Sequence, residues 1–350
     1  MPPRRSNSHP ILHVFGWDRK FVLPFIDFVQ ENFDLTGHSF VIYGSIEDDQ
    51  TPIGPHVSHY PRLLKSLPAL LAHMHGAKKI ILHGIFSSHL LYVLALQPWL
   101  LKKCYWTIWG GDLYIHNSIQ KDWRWHKDEW FRRFVVSRLG HFITQIEGDY
   151  ELARQWYGAR GRWHECFMYP SNLHKDYAIT SQAHHGVNIL LGNSASPTNN
   201  HLEAFERLRP FVRENIRIYC PLSYGDAEYA EEVIRVGADT FGDKFVPLRD
   251  FLSFEKYLGM LSVIDVAIFN HNRQQGMGNI TTLLGLGKKV YLRRCVSSWD
   301  SLESLGVKLF DIVSLDLGKL PEATAKRNSE LIKIKYSKAN LIKGLREIFE

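Results

Sequence analysis

The chain has 350 residues, of which 45% are hydrophobic and 22% charged, a balance that excludes a disordered polypeptide and supplies enough apolar material for two domains of ordinary size. Lys and Arg number 42 against 36 Asp and Glu, a net charge of +6 that favours anionic partners such as phosphates or acidic lipid. The basic residues are scattered and the aromatics show no stacking repeat, so no nucleic-acid module is indicated.

The polar start, Met1 to Pro10, carries Arg4 and Arg5, but the apolar stretch after it is too short and interrupted for a signal peptide. Short β-rich runs then alternate with helical patterns, the signature of parallel sheets covered by helices. Strands are expected at Ile11–Phe15, Phe40–Tyr43, Lys79–His83, Cys104–Trp109 and His141–Gln145. Helices are expected between them, near Phe21–Glu31, Leu63–His75, Ser88–Leu100, Trp123–Arg138 and Asp149–Tyr157. The aperiodic segment Pro170 to Gly186 reads as a linker. A second series follows, with strands at Val187–Leu191, Ile216–Cys220, Lys244–Pro247, Val263–Phe269, Lys289–Leu292 and Val307–Phe310. Its helices lie near Asn200–Arg209, Ala227–Val236, Phe254–Leu261, Asn279–Leu286 and Ser337–Phe349. The expected architecture is thus two α/β domains, 1–170 and 187–335, facing a cleft, with 336–350 crossing back to brace the first. Cys104, Cys166, Cys220 and Cys295 form no C-x-x-C pair, which suggests neither zinc nor a disulfide framework and fits a reducing cytoplasm. No run reaches the roughly 18 apolar residues of a membrane span.

Three strand ends of the second half carry groups suited to an anion. In the turn Leu191 to Asn200, Gly192 permits tight geometry, Asn193 and Ser194 offer donors, and a helix follows; the turn serves either a diphosphate or plain helix capping. Ser223 and Tyr224 follow the strand ending at Cys220. Arg273, Gln274, Gln275, Gly276, Gly278 and Asn279 gather a cation, amides and two glycines ahead of another helix, where open α/β sheets bind ligands. In the first half, His13, Asp18, His83, Trp109, Gly110, Gly111, Asp112 and Tyr114 sit at strand ends. Asp112, after two glycines that leave room for a sugar, can serve as a base or fix a turn. His13 and His83 can equally be buried, hydrogen-bonded histidines. The run Trp123 to Phe134 interleaves aromatic and basic residues and suits either a bilayer surface or packing on its own sheet.

The ordered set Trp106-Thr107-Ile108-Trp109-Gly110-Gly111-Asp112-Leu113-Tyr114, Leu191-Gly192-Asn193-Ser194 and Arg273-Gln274-Gln275-Gly276-Met277-Gly278 resembles the W-x-I-W-G-x-D-L-Y, V-G-N-S and R-Q-Q-G-x-G runs of glycosyltransferase family 56. These are the 4-acetamido-4,6-dideoxygalactose transferases of enterobacterial common antigen assembly. His83-Gly84, Tyr169-Pro170 and Pro221 to Tyr224 also resemble family positions. The chain departs from the family where Ala195-Ser196-Pro197 replaces Gly-Asp-Arg.

The resemblance implies a GT-B fold, a dTDP-activated amino-deoxy sugar donor, a polyprenyl-diphosphate-linked glycan acceptor and a peripheral place on the cytoplasmic face of the inner membrane. On this reading the donor diphosphate rests on Gly192, Asn193, Ser194, Ser223, Tyr224 and the Arg273–Asn279 loop. The acceptor meets His83, Trp109, Gly110, Gly111 and Tyr114, with Asp112, Asp18 and His13 as candidate catalytic groups. With no D-x-D pair at a strand end, no metal or other cofactor is expected. A nucleotide-sugar 2-epimerase of the same fold and a non-catalytic glycan- or lipid-binding protein are the alternatives.

Overall fold

The structure is a computed structural model that describes residues 10–45, 54–117, 121–175 and 184–350. The chain divides into two compact units, Met1–Leu173 with Lys338–Glu350, and His174–Ser337.

The described residues of the first unit form a seven-stranded sheet of β1 (Ile11–Gly16), β2 (His38–Tyr43), β3 (Val57–Tyr60), β4 (Lys79–His83), β5 (Cys104–Thr107), β6 (His141–Ile143) and β7 (Arg162–His164), in the order β3-β2-β1-β4-β5-β6-β7. Every pairing is parallel. The central strands are buried over nearly all their length, so they read as continuous apolar runs, as strands covered on both faces must. The edge strands β3 and β7 carry Val-Ser-His-Tyr and Arg-Trp-His; lacking an apolar run, they escape a reading based on hydrophobic pattern. Helices α1 (Arg19–Asn32), α2 (Leu67–Gly76), α3 (Ser88–Ala95), α4 (Trp123–Val136) and α5 (Glu147–Tyr157) make the crossovers. Ser87 and Asp122 cap α3 and α4 by accepting from the Leu90 and Trp125 amides, which satisfies first-turn donors that have no partner within the helix.

The second unit repeats the plan with β8 (Val187–Leu191), β9 (Ile216–Pro221), β10 (Phe245–Leu248), β11 (Val266–Phe269), β12 (Lys289–Leu292) and β13 (Phe310–Asp311), ordered β10-β9-β8-β11-β12-β13 and again parallel. Its helices are α6 (His201–Leu208), α7 (Ala227–Phe241), α8 (Phe254–Ser262), α9 (Met277–Gly285), α10 (Ser297–Ser304) and α11 (Glu322–Lys335). The last two were not expected. In α11 only Asn328 and Ile332 are buried, so its sequence carries almost no apolar face. Of the expected linker, Pro170–Asn172 is a 3-10 turn, while residues 176–183 lie outside the described residues.

The final helix, α12 (Lys338–Phe349), belongs to the first unit. Phe349 sets its ring edge-on to His38 and His13, and Lys79 donates to the Ile348 and Phe349 carbonyls. Strand order reverses beside β1 and β4 in one sheet and beside β8 and β11 in the other. The carboxyl ends of these strands are where a parallel sheet opens a crevice for a ligand.

Candidate functional site: two sheet edges

At the second reversal point three loops are stitched to one another. The Gly192 amide donates to the Ile268 carbonyl (2.9 Å) and the Asn272 amide to the Thr198 carbonyl (3.2 Å). The Thr198 hydroxyl reaches Gln275 Oε1 (2.6 Å), whose amide group in turn donates to Asn193 Oδ1 (3.2 Å). Asn193 Nδ2 then donates to the Tyr224 hydroxyl (3.2 Å), bringing in the loop after β9. A reciprocal amide pair closes the set: Asn200 Nδ2 donates to the Asn270 carbonyl, and Asn270 Nδ2 to the Asn200 carbonyl, each at 3.0 Å. Asn200 adopts a left-handed conformation (φ 50°), which Asn tolerates better than other side-chain-bearing residues.

Gly276 precedes α9 in the left-handed region (φ 68°), and a Cβ there would lie 3.2 Å from Asn193 Cγ. The first-turn amides of α9, among them Met277 and Gly278, have no partner within the helix. Together with the helix dipole they form an anion-seeking end beside the Asn193 and Gln275 amides. Gln275 and Asn193 are nearly buried, Ser194 is buried, and Ser223 and Asn279 are half-buried. Tyr224 exposes about half its surface. Arg273 is half-buried and donates to the Gln274 carbonyl (3.2 Å). Burial, with help from the Arg273 charge, pushes the neighbouring His271 imidazole down to about 3. Thr198, Asn200 and Asn270 lie in the two loops that the sequence singles out but were not named as binding residues there; the Asn-Asn pair ahead of a helix was the available signal.

The edge of the first unit is built differently. Asp112 is completely buried. Its Oδ2 accepts from Trp106 Nε1 (2.6 Å) and the Ile85 amide (3.0 Å), and its Oδ1 from the Trp109 (3.0 Å) and Leu113 (3.1 Å) amides. Burial raises its pKa against the opposing pull of these donors and of Arg132. The expectation of Asp112 as an open base is therefore corrected: both oxygens are engaged in holding the 109–113 turn. His13 is likewise buried, in mid-strand, bonded to His38 and His83. Burial, with the charges of those two neighbours, depresses its pKa, which favours a neutral imidazole inside the sheet over a group that meets substrate.

Tyr114 turns toward α5, donating to Asp149 Oδ1 (3.3 Å) with its ring edge-on to Trp156, so it too leaves the sheet edge. Asp18, in contrast, is exposed at the carboxyl end of β1, and its carbonyl accepts from the Phe21 and Val22 amides as α1 begins. Near it stand Phe21, Trp109 and Tyr169. Gly110 and Gly111 make the turn between Trp109 and Asp112, and His83 bonds Tyr169 (2.7 Å). Tyr169, identified beforehand only as a family position, and Phe86 are the residues missed here.

On α4, Trp125 donates to the Ile115 carbonyl and is half-buried, and Arg132 is buried against the Ile85 carbonyl, so neither is a fully exposed surface group. Trp123 (68% exposed) and Trp130 (64% exposed) are, with Arg124 and Lys127 beside them. Lys127 lies over the Trp123 and Tyr92 rings. Among the described residues no helix is long and apolar enough to cross a membrane, and no cluster of three His, Cys, Asp or Glu side chains is placed to hold a metal ion.

Solved structures of the same architecture span nearly the whole chain. Sucrose-phosphate synthase from Thermosynechococcus elongatus superposes with a TM-score of 0.69 at 10% identity, covering 97% of this chain and 98% of the other. A glycosyltransferase from Rickettsia africae gives 0.63 at 12% identity, covering 97% of each. An α,α-trehalose-phosphate synthase (UDP-forming) from Burkholderia xenovorans gives 0.61 at 8% identity, covering 97% of this chain and 98% of the other. At such identities the likeness establishes the fold, which is GT-B. The family model described as 4-alpha-L-fucosyltransferase, glycosyl transferase group 56, matches residues 58–337. That span covers most of the chain, and the protein accordingly belongs to glycosyltransferase family 56.

Proposed function

We propose that this glycosyltransferase moves a 4-amino-4,6-dideoxyhexose from a dTDP-linked donor to a polyprenyl-diphosphate-linked glycan at the cytoplasmic face of the bacterial inner membrane. The observation that carries the reading is the convergence of Asn193, Tyr224, Gln275 and Gly276 on the amino end of α9. Neutral amides, helix amides and the nearby Arg273 suit a diphosphate leaving group, whose negative charge grows as the glycosidic bond breaks. Stabilising that growing charge lowers the barrier more than binding the intact donor does. These protein groups take the place of a metal in this mechanism. The family description names a fucosyltransferase, which favours a 6-deoxyhexose on the donor.

Asp18 replaces Asp112 as the proposed base: it is an exposed carboxylate at the carboxyl end of β1 in the first unit. Trp123, Arg124, Lys127 and Trp130 give α4 an exposed aromatic and cationic face suited to the headgroup layer of an anionic bilayer. The direct experiment supplies dTDP-linked 4-acetamido-4,6-dideoxygalactose with a short-chain polyprenyl-diphosphate disaccharide. Transfer to the disaccharide is expected; conversion of the donor alone to an epimer would refute a transferase reading. Trp123→Ser combined with Lys127→Glu is expected to release the protein from vesicles of phosphatidylglycerol, and unchanged binding would refute the membrane face.

A further inference from the structure

We infer that Trp109 and Phe86 form an aromatic corner that receives the apolar face of the acceptor sugar, held in place by a buried Tyr169–His83–His13–His38 hydrogen-bond chain. The inference rests on the acceptor assignment above and names the surface that recognises it.

The two rings stand at 89° with centroids 6.0 Å apart. Phe86 is 49% exposed although it follows a buried strand end and belongs to the first unit's sheet edge. Two glycines make room for it. A Cβ on Gly84 would come within 2.5 Å of its ring, and one on Gly111 within 3.4 Å, so the backbone is kept bare on both sides of the ring. Asp18, exposed beside this aromatic group, supplies the carboxylate that a sugar's hydroxyls would meet. An apolar ring wall with an adjacent hydrogen-bond acceptor is the chemistry that fits a pyranose, whose C–H face is apolar and whose rim is polar.

The chain behind Trp109 begins with a group that can only donate. Trp109 Nε1 donates to the Tyr169 oxygen at 2.8 Å. With the phenol oxygen accepting from the indole, we assign its hydroxyl hydrogen to His83 Nδ1, 2.7 Å away. A neutral His83 that accepts at Nδ1 carries its hydrogen on Nε2 and donates to His13 Nδ1 (3.1 Å). His13 by the same logic donates from Nε2 to His38 Nδ1 (2.9 Å). Burial depresses the pKa of both His13 and His83, which keeps each imidazole neutral with one donor and one acceptor. The residue before Tyr169, Met168, is held in the left-handed region (φ 52°). Such strain persists only where surrounding contacts over-determine it, and here it delivers Tyr169 to Trp109. Four residues thus act through one indole: they are positioning residues, and Trp109 and Phe86 are the contact surface.

The test measures kinetics with the disaccharide acceptor and follows the Trp109 indole N–H resonance, assigned from its loss in Trp109→Phe. Phe86→Ala is expected to lower kcat/KM for the acceptor about tenfold, with the KM for the donor unchanged. Tyr169→Phe and His13→Phe are expected to shift the indole resonance and raise the acceptor KM, while His13→Gln, which can still accept and donate, restores much of both. If the wild type transfers sugar and Phe86→Ala does so with an unchanged kcat/KM for the acceptor, the corner is refuted and the proposed function stands. An indole resonance unmoved in Tyr169→Phe refutes the chain. If the wild type transfers to no lipid-linked saccharide, the acceptor assignment and the corner fall together.

Discussion

The two sheet edges solve opposite problems with the same parallel topology. At the first, most polar groups are spent internally: Asp112 holds four donors, His13 and His83 bond each other, and what faces outward, apart from Asp18, is aromatic. At the second, the loops are tied by buried side-chain amides, and a helix presents its first-turn amides beside them. A rigid aromatic wall suits a neutral sugar, whereas a cradle of amides and one guanidinium suits a diphosphate. The difference shows that a carboxylate in a glycine-rich motif can define a loop, as Asp112 does through four donors.

The largest effect that would break this contrast comes from Asp112. Its replacement by Ala strands the Trp106, Ile85, Trp109 and Leu113 donors in the interior, and urea unfolding is expected to show a loss of about 3–5 kcal/mol. A loss below about 1 kcal/mol would return Asp112 to the role of a dispensable base. Next comes Asp18→Asn, expected to leave the fold intact and lower kcat by roughly a hundredfold or more, as removal of a general base does; a normal rate would exclude it.

Arg273→Ala is expected to weaken diphosphate binding by about tenfold, the worth of one charge-assisted contact at a half-exposed site, with stability unchanged. Isothermal titration reads this directly, and an equal affinity would remove the guanidinium from the site. The smallest effect is on pH. His13 and His83 have depressed pKa values and His201 falls to about 4. The unfolded chain, with imidazoles near 6.5, therefore binds protons that the native state does not. Stability should fall as pH drops below about 6.5, by roughly 1 kcal/mol for each such histidine at pH 5.5. His13→Phe should flatten that slope; an unchanged slope would mean that His13 titrates freely.

The architecture was legible because buried parallel strands are continuous apolar runs, and Lys79–His83, Val187–Leu191 and Lys289–Leu292 fall where the residues alone place them. Strands β3 and β7 and helix α11 were not, since edges and polar helices carry no apolar period. Residue types at strand ends marked both site regions, yet they did not reveal which way a side chain turns. Asp112 and Tyr114 point inward because Trp106 and Asp149 offer them partners there, and those partners come from a different strand position and a different helix. Tyr169 depends on a strained Met168 that no local pattern announces.

The most direct measurement is calorimetric titration of dTDP, dTMP and thymidine into the wild type and into Asn193→Ala. A diphosphate cradle at the ends of β8, β9 and β11 predicts that dTDP binds at least about tenfold more tightly than dTMP and thymidine, an advantage lost in Asn193→Ala. Equal affinities for the three ligands, or a dTDP affinity indifferent to Asn193, would contradict it.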